Sequence, residues 1–354
     1  MRTSPPARER HSVVGRLVVI GAGPTGLGAA LACIEHGHPD VVVFEAEDGP
    51  GGLAGSVIDD EGFTWDLGGH VQFSHYERYD RLLDRALGDA WLHHTRTAAI
   101  RVLGHDVPYP FQHHLEALPP RERQWAAETL AAATGRPVDD SFAAWMDATF
   151  GEGICALFLR PYNRKVWQHP LEDMSAAWLG ERVARPRAED DAPRSDWGPN
   201  ATFRYPVRGG TGAIWKGVAR LLPDTIVRTG CRVVGIDPEG RRITLADGEV
   251  VPYDTLLGTM PLDALVACLP DSSPAVKAAA ARLVANTVEL VGVGVGLPAD
   301  EAMRRRTWMY FPEADSPYYR VTVLSNYAAS NAPDAASYSL LTESAHPRTE
   351  RVDR

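Results

Sequence analysis

The sequence predicts an α/β fold organised around a dinucleotide-binding unit, and three features of residues 17–53 carry that prediction. A short apolar run, Leu17 to Ile20, leads into Gly21, Gly23 and Gly26 and then into an Ala/Leu-rich stretch of helical composition. A second apolar run, Val41 to Phe44, ends on Glu45, about 20 residues past the glycines, where a ribose-binding acid belongs. A further glycine turn, Gly51 and Gly52 followed by Leu53, comes directly after it. The order has a physical reason at each step. Gly21 permits a tight turn, Gly23 lets the backbone approach a pyrophosphate, and Gly26 allows helix and strand to pack closely. The start of the helix then offers unpaired N–H groups and a positive dipole end to that pyrophosphate, and Glu45 is placed to accept hydrogen bonds from the adenosine ribose.

Composition narrows the remaining choices. At 354 residues, with 44% apolar and 23% charged residues, the chain can bury a large core and form one or two domains beyond the nucleotide-binding unit. A net charge of −10 excludes nucleic acid as the expected partner, because phosphate backbones need a basic face. An anionic substrate must then be held by a local cluster of arginines. The cysteines Cys33, Cys155, Cys231 and Cys268 lie far apart without CxxC spacing, and read as reduced core thiols of a cytoplasmic protein. The most apolar stretches are interrupted by glycines and read as too short to span a bilayer, so no membrane partner is expected. Residues 1–16, with Arg2, Arg8, Arg10, Arg16, Pro5 and Pro6, read as a flexible leader.

Along the chain, 77–87 has the apolar spacing of a helix, and 97–112 reads as a hairpin turning at 104–106. Residues 113–186 are helical in pattern. Pro119 and Pro120 open a first helix, Asp140 or Ser141 caps a second that stops at Gly151, and a third meets a kink at Pro161. Met174, Trp178 and Arg182 then share one helical face. Residues 185–199 read as a surface loop, and a glycine turn at 209–212 precedes another helix. Strand signals resume at 225–229, 231–236 and 241–251, and 256–261 reads as a buried strand returning to the first sheet. The runs 288–297, 307–311 and 318–327 are strand-like and predict an antiparallel sheet of their own. The adjacent pairs His93/His94 and His113/His114 read as surface histidines, and no metal site is expected.

Beyond the nucleotide motif, the blocks WDLGGHVQFSHY (65–76), VPYPFQ (107–112), RPYNRKVW (160–167), AWLGERVA (177–184), WGPNATFRYPVRGGTGAIW (197–215), YFPEADSPYYR (310–320) and SNY (325–327) follow one another in an order that resembles UDP-galactopyranose mutases. The eukaryotic type is the better match, and the second glycine turn is similar to that of the FAD-binding group containing amine oxidases. The resemblance implies a Rossmann-like FAD-binding domain in two parts, 17–112 and 187–285, an inserted helical bundle at 113–186, and an antiparallel sheet domain at 286–354. It also implies a C-terminal segment that completes the FAD site and supplies two further tyrosines to the diphosphate. That segment has no counterpart here, so weak retention of FAD is expected.

The chemistry implied by the resemblance is isomerisation of a nucleotide sugar, with N5 of reduced FAD as nucleophile toward the anomeric carbon and NADPH or NADH as reductant. The chain carries no GxSxG motif, zinc-binding histidine pattern or CxxC pair that would supply a protein nucleophile or a metal instead. By motif position, Gly69 and His70 fall beside the flavin, with the His70 backbone at N5. Phe73 and His75 adjoin flavin and sugar, and Tyr109 and Gln112 bind uridine. Asn163 and Trp167 line the sugar side. Arg182 and Arg320 hold the diphosphate, with Asn200, Tyr310 and Tyr327 alongside. Two other readings keep the same residues: a flavin oxidase or desaturase of the amine-oxidase group, and a shortened, non-catalytic flavin-binding relative. One geometric demand also follows. Arg320 and Tyr327, an odd number apart, reach one pocket only if their strand bends or ends between them.

Overall fold

A computed structural model describes residues 15–180, 183–186, 198 and 200–348. The chain divides into two compact units, Met1–Gly55 with Ile214–Leu283, and Ser56–Ala213 with Val284–Arg354. Residues 1–14 of the expected leader and most of the 185–199 loop lie outside the described residues. Arg16, placed in the leader by sequence, is instead ion-paired with Asp40 at 3.0 Å.

The first unit is built on a four-stranded parallel sheet in the order Thr255–Gly258, Leu17–Ile20, Val41–Phe44, Val227–Arg228. The helix Pro24–Glu35 makes the crossover between the two central strands. Those strands read as continuous apolar runs because helix and second sheet cover both their faces. The second sheet is antiparallel, Val233–Asp237, Arg242–Leu245 and Val250–Pro252, and its Val233, Ile236, Ile243 and Leu245 pack with Val18, Ile20 and Phe44. The strand expected to be buried at 256–261 does rejoin the first sheet. It does so as an edge strand paired on one side only, which leaves Thr255, Leu257 and Gly258 exposed.

The second unit contains a six-stranded sheet in the order Asn286–Val295, Tyr338–Pro347, Arg320–Val323, Trp308–Tyr310, Ala98–Val102, His105–Pro108. The later strands therefore do not form a sheet of their own. The 98–108 hairpin, assigned by sequence to the FAD-binding part, completes it, and Trp308–Tyr310 runs parallel to Ala98–Val102. Against it lies the helical region, with Pro120–Ala131 opened by its prolines and Phe142–Ile154 capped by the Ser141 hydroxyl, which accepts from the Ala144 N–H at 3.1 Å.

The helical expectations meet different outcomes. The helix that starts at Phe142 does end at Gly151, whose φ 70° and ψ 169° are non-helical, and a second helical stretch follows at once through Ile154. At Pro161, where a kink was expected, the helix continues through a π-helical segment, Cys155–Leu159, with the Arg160 N–H bonded to the Cys155 carbonyl, into Arg160–Trp167. The resulting run Phe142–Trp167, at 26 residues, is long and apolar enough to cross a membrane by length and composition. Phe142, Met146, Phe150, Ile154 and Phe158 are nonetheless buried in the core of this unit. Finally, Met174 and Trp178 are not on a helix. The Phe142 N–H bonds to the Met174 carbonyl and Ser175 bridges Ser141, so the backbone groups a helix would use are spent on the start of the neighbouring helix.

The histidines also differ from expectation. His113 and His114 are 4% and 7% exposed. The His113 ring lies 2.9 Å from the Arg185 carbonyl and that of His94 2.7 Å from the Tyr327 carbonyl, so backbone carbonyls satisfy rings read as solvated. Of the cysteines, Cys155 and Cys268 are buried, whereas Cys33 and Cys231 are half-buried.

Gly151 offers a direct check on the helical region. Its backbone conformation is one that only glycine adopts readily, and a Cβ there would collide with the Thr129 carbonyl. Gly151→Ala is expected to destabilise the protein by about 2 to 4 kcal/mol, the sum of backbone strain and overpacking. Urea denaturation measures this, and a loss under roughly 0.5 kcal/mol would contradict the kink.

Candidate functional site

In the first unit the dinucleotide motif is assembled as its spacing predicted. The Gly21 N–H bonds to the Phe44 carbonyl at 2.8 Å, which ties the end of one strand to the end of the next. A Cβ on Gly26 would strike the Gly21 carbonyl, so only glycine permits this approach of helix to strand. Gly23 caps the helix with no side-chain hydrogen bond, and a Cβ there would meet nothing within 4 Å. The space in front of the helix N-terminus is therefore open, as a pyrophosphate requires. Glu45 is buried and accepts from the Ala22 N–H at 2.7 Å and the Glu47 N–H at 3.0 Å. Those bonds hold its carboxylate at the motif with lone pairs left for ribose hydroxyls. The Gly51 N–H bonds to the Ala22 carbonyl at 2.9 Å and Gly52 lies against Gly23, so the two glycine turns are one structure. Leu53, beside them, is 84% exposed. These residues fit the ADP half of a flavin dinucleotide.

The second unit brings together a different set. Register places Tyr310 directly across from Arg320, and Arg320 across from Glu343, in a row over three strands. Arg320 donates through Nε and Nη2 to Glu343, the latter at 2.7 Å, and Glu343 is 2% exposed. Burial works against the Arg320 charge, but Glu343 more than offsets it and holds the guanidinium well above its usual pKa. Gly69 lies on this pair. Its N–H points to Glu343 at 3.4 Å, and a Cβ would crowd Thr322, Arg320 and Glu343. His70 follows, with its pKa lowered by burial and by Arg320 against the opposing pull of Asp66 and Glu343, which favours the neutral ring.

Tyrosines surround the row. Tyr310 contacts Tyr109 at 5.6 Å and Tyr162 at 5.1 Å between ring centres, and Tyr162 reaches Tyr319 at 6.2 Å. The Arg96 guanidinium sits 4.6 Å over the Tyr109 ring and donates to Asn200 at 2.6 Å. The strand Arg320–Val323 ends in a 3-10 turn, Leu324–Asn326, which removes the parity conflict. Tyr327 is thereby buried among Tyr205, Phe203 and His94, with its hydroxyl unpaired among the described residues. His70, Tyr109, Asn200, Tyr310, Arg320 and Tyr327 thus belong to one neighbourhood.

Other expected residues are placed elsewhere or are already engaged. Phe73 is 41% exposed and lines an open cavity of about 430 Å³ with Gln72, Ser74, His93 and Arg204, and His75 is exposed beside it. The Gln112 amide donates to the Ala184 carbonyl, which anchors the 183–186 segment. Asn163 and Trp167 do share a helical face. Asn163 there accepts from the Trp167 indole at 3.1 Å and donates to the Leu159 carbonyl at 2.8 Å. Arg182 lies outside the described residues.

Sequence reading missed Glu343 and Asp66. Glu343 sits in an alternating stretch, Tyr338–Pro347, whose inward residues Ser339, Leu341, Glu343 and Ala345 are half polar, which hides the strand pattern. Asp66 is buried, and that burial raises its pKa against the hydrogen bonds from the Ser56 hydroxyl at 2.5 Å, the Tyr205 hydroxyl at 2.7 Å and the Thr211 N–H at 2.9 Å. Through the Thr211 N–H it ties the glycine turn at 209–212 to the strand Thr64–Asp66, which runs into Gly68–His70.

Comparison with known proteins bears on the family and the fold. Residues 24–298 match the family model for flavin containing amine oxidoreductase. A curated zeta-carotene-forming phytoene desaturase from Myxococcus xanthus is 55% identical over 53 residues, a match spanning 15% of this chain and 10% of that protein. A putative protoporphyrinogen oxidase from Exiguobacterium sp. 255-15 shares the fold, at TM-score 0.70, 19% identity, 94% of this chain and 77% of that one. The chain belongs to the flavin containing amine oxidoreductase family. Within that fold it is similar to reduced UDP-galactopyranose mutase, at TM-score 0.90 and 38% identity over 96% of this chain and 76% of that structure. Membership of this family implies FAD as the cofactor.

The ion pair gives this subsection its test. Glu343→Ala leaves a half-buried guanidinium without its partner, which costs about 3 to 5 kcal/mol for a fully buried pair. Because Arg320 keeps one edge toward solvent, the lower end is expected. Chemical denaturation of variant and parent reads the difference, and a loss below about 1 kcal/mol would show the pair to behave as a surface contact.

Proposed function

We propose that this chain is a flavin-dependent isomerase that interconverts UDP-galactopyranose and UDP-galactofuranose. The observation that carries the reading is the row Tyr310–Arg320–Glu343 under Gly69 and His70, in a chain similar to a mutase of that name. An acidic protein that binds a nucleotide diphosphate must hold a cation where the diphosphate sits, and Arg320 is such a cation, charged at every accessible pH. With Nε and one Nη2 hydrogen spent on Glu343, it offers Nη1 and the remaining Nη2 hydrogen to phosphate oxygens. Arg182 is proposed as the second diphosphate cation.

In the same reading the Gly21–Gly26 turn, Glu45 and the Gly51–Leu53 turn hold the ADP half of FAD, and Gly69 and His70 border its ring. Reduced FAD, when bound, supplies a nitrogen nucleophile for the anomeric carbon. Tyr109 presents a ring face to uracil, held flat by Arg96 behind it, and Gln112 keeps its carbonyl oxygen for the base while its amide grips Ala184. Asn163 and Trp167 brace each other on the sugar side, Asn200 and Tyr327 complete the enclosure, and Phe73 and His75 are proposed as outer neighbours on the open cavity that Phe73 lines. Neutral His70 adds no charge beside the ring. NADPH or NADH as reductant and a cytoplasmic setting belong to the proposal.

The test is anaerobic incubation of UDP-galactopyranose with FAD-loaded protein, with and without dithionite, followed by chromatography. Furanose product is expected from the reduced sample only, with no net oxidation over a turnover. Equal turnover by oxidised protein would overturn the reading, and steady oxygen uptake with an amine or polyene would support an oxidase instead.

A further inference from the structure

Lysine is rare in this chain. Of 36 basic residues only Lys165, Lys216 and Lys277 are lysines, so a position that keeps one invites a physical reason. Lys165 lies on the helix Arg160–Trp167, and its ammonium faces a ring of backbone carbonyls: Ser316 at 2.7 Å, Phe311 at 2.9 Å, Tyr318 at 3.3 Å, and Glu313. All four belong to the loop 311–319. That loop joins Trp308–Tyr310 to Arg320–Val323, so its two ends are Tyr310 and Arg320, the cross-strand pair of the candidate site. The Phe311 N–H closes the base of the loop on the Tyr319 carbonyl at 2.9 Å, and the Tyr319 N–H bonds to the Glu343 carbonyl at 2.9 Å. The curl in between has a cation for a centre.

A compact ammonium with three N–H donors can sit inside such a ring, whereas the planar, wider guanidinium cannot turn its donors toward four converging carbonyls. Burial lowers the Lys165 pKa, opposed by Asp315 and Glu313 on the same loop. The helix that carries Lys165 also carries Tyr162, edge-on to Tyr310 and Tyr319, and Asn163 and Trp167.

We propose that Lys165 is a positioning residue, an internal cation around which the 311–319 loop folds so that Tyr310 and Arg320 are held in register for the anionic substrate. Its role toward substrate rests on the nucleotide-diphosphate reading above, and its role toward the loop does not. The experiment therefore has two arms. Hydrogen–deuterium exchange of the unliganded protein compares peptides spanning 311–319 in parent, Lys165→Met, Lys165→Arg and Lys165→Ala. Exchange at least tenfold faster is expected in all three variants, with n-propylammonium slowing it again in Lys165→Ala and tetramethylammonium, which has no N–H, leaving it fast. Parent-like exchange in Lys165→Met, full retention in Lys165→Arg, or equal rescue by both amines would overturn the proposal. Should Lys165→Met fail to fold, the Lys165→Ala rescue decides alone. In the second arm, UDP titration should show affinity at least tenfold weaker in Lys165→Ala and restored by n-propylammonium. If the parent itself does not bind UDP, the reading of the site fails while the exchange arm still judges the clamp.

Discussion

The ion pair between Arg320 and Glu343 is the constraint that the second unit is built to meet. A guanidinium and a carboxylate taken out of water recover their hydration only with close, well-aligned partners. The sheet provides this by register, because Arg320 on one strand stands directly across from Glu343 on the next. Gly69 is the price of that arrangement, since any side chain there would displace the pair. The strand order follows as well. Tyr338–Pro347 must lie inside the sheet, between Asn286–Val295 and Arg320–Val323, for Glu343 to be covered on both sides. The pair is neutral as a whole, so it pre-positions donors and adds little long-range attraction for an anion.

Two further polar anchors serve the same neighbourhood. Asp66 gathers donors from Ser56, Tyr205 and Thr211, and Tyr205 in turn accepts from the Asn331 amide at 3.1 Å. Asn331 also donates to the Leu324 carbonyl at 2.9 Å, which reaches the turn that brings Tyr327 inward. Polar groups buried in this way are costly unless every donor and acceptor is used, and among the described residues the Tyr327 hydroxyl, His70 Nδ1, the Thr322 hydroxyl and Asn331 Oδ1 are buried without a partner. Lys165 extends the logic from side chains to backbone, with one ammonium organising a loop that has no regular secondary structure.

Much of this was legible in the sequence. The nucleotide turn was readable because its requirements are local: a strand, three glycines, a helix and an acid within 30 or so residues. Strands of one apolar face, and helices opened by proline or serine, were readable for the same reason. What escaped was non-local. Met174 and Trp178 have helical spacing, but their backbone pairs with residues near Ser141 instead. The strand holding Glu343 shows no apolar alternation because its inward face carries Ser339 and Glu343, satisfied only by partners elsewhere. His94 and His113 looked solvated because the carbonyls that bind them come from Tyr327 and Arg185, distant in sequence. Arg320 was found through its motif, but nothing local revealed that two of its five N–H donors are committed to Glu343.

The central claim is that Arg320, oriented by Glu343, is an anion-holding group and not merely a structural ion pair. Replacing both partners at once separates the two roles, since apolar residues of similar volume commonly preserve or raise stability where a buried pair stood. The measurement is calorimetric titration of UDP into the double variant Arg320→Met/Glu343→Leu, after denaturation has shown it folded. The account predicts a folded protein with UDP affinity weakened by about ten- to a hundredfold, as expected for loss of a charged hydrogen bond of roughly 1.5 to 3 kcal/mol. A folded double variant that binds UDP like the parent would contradict it.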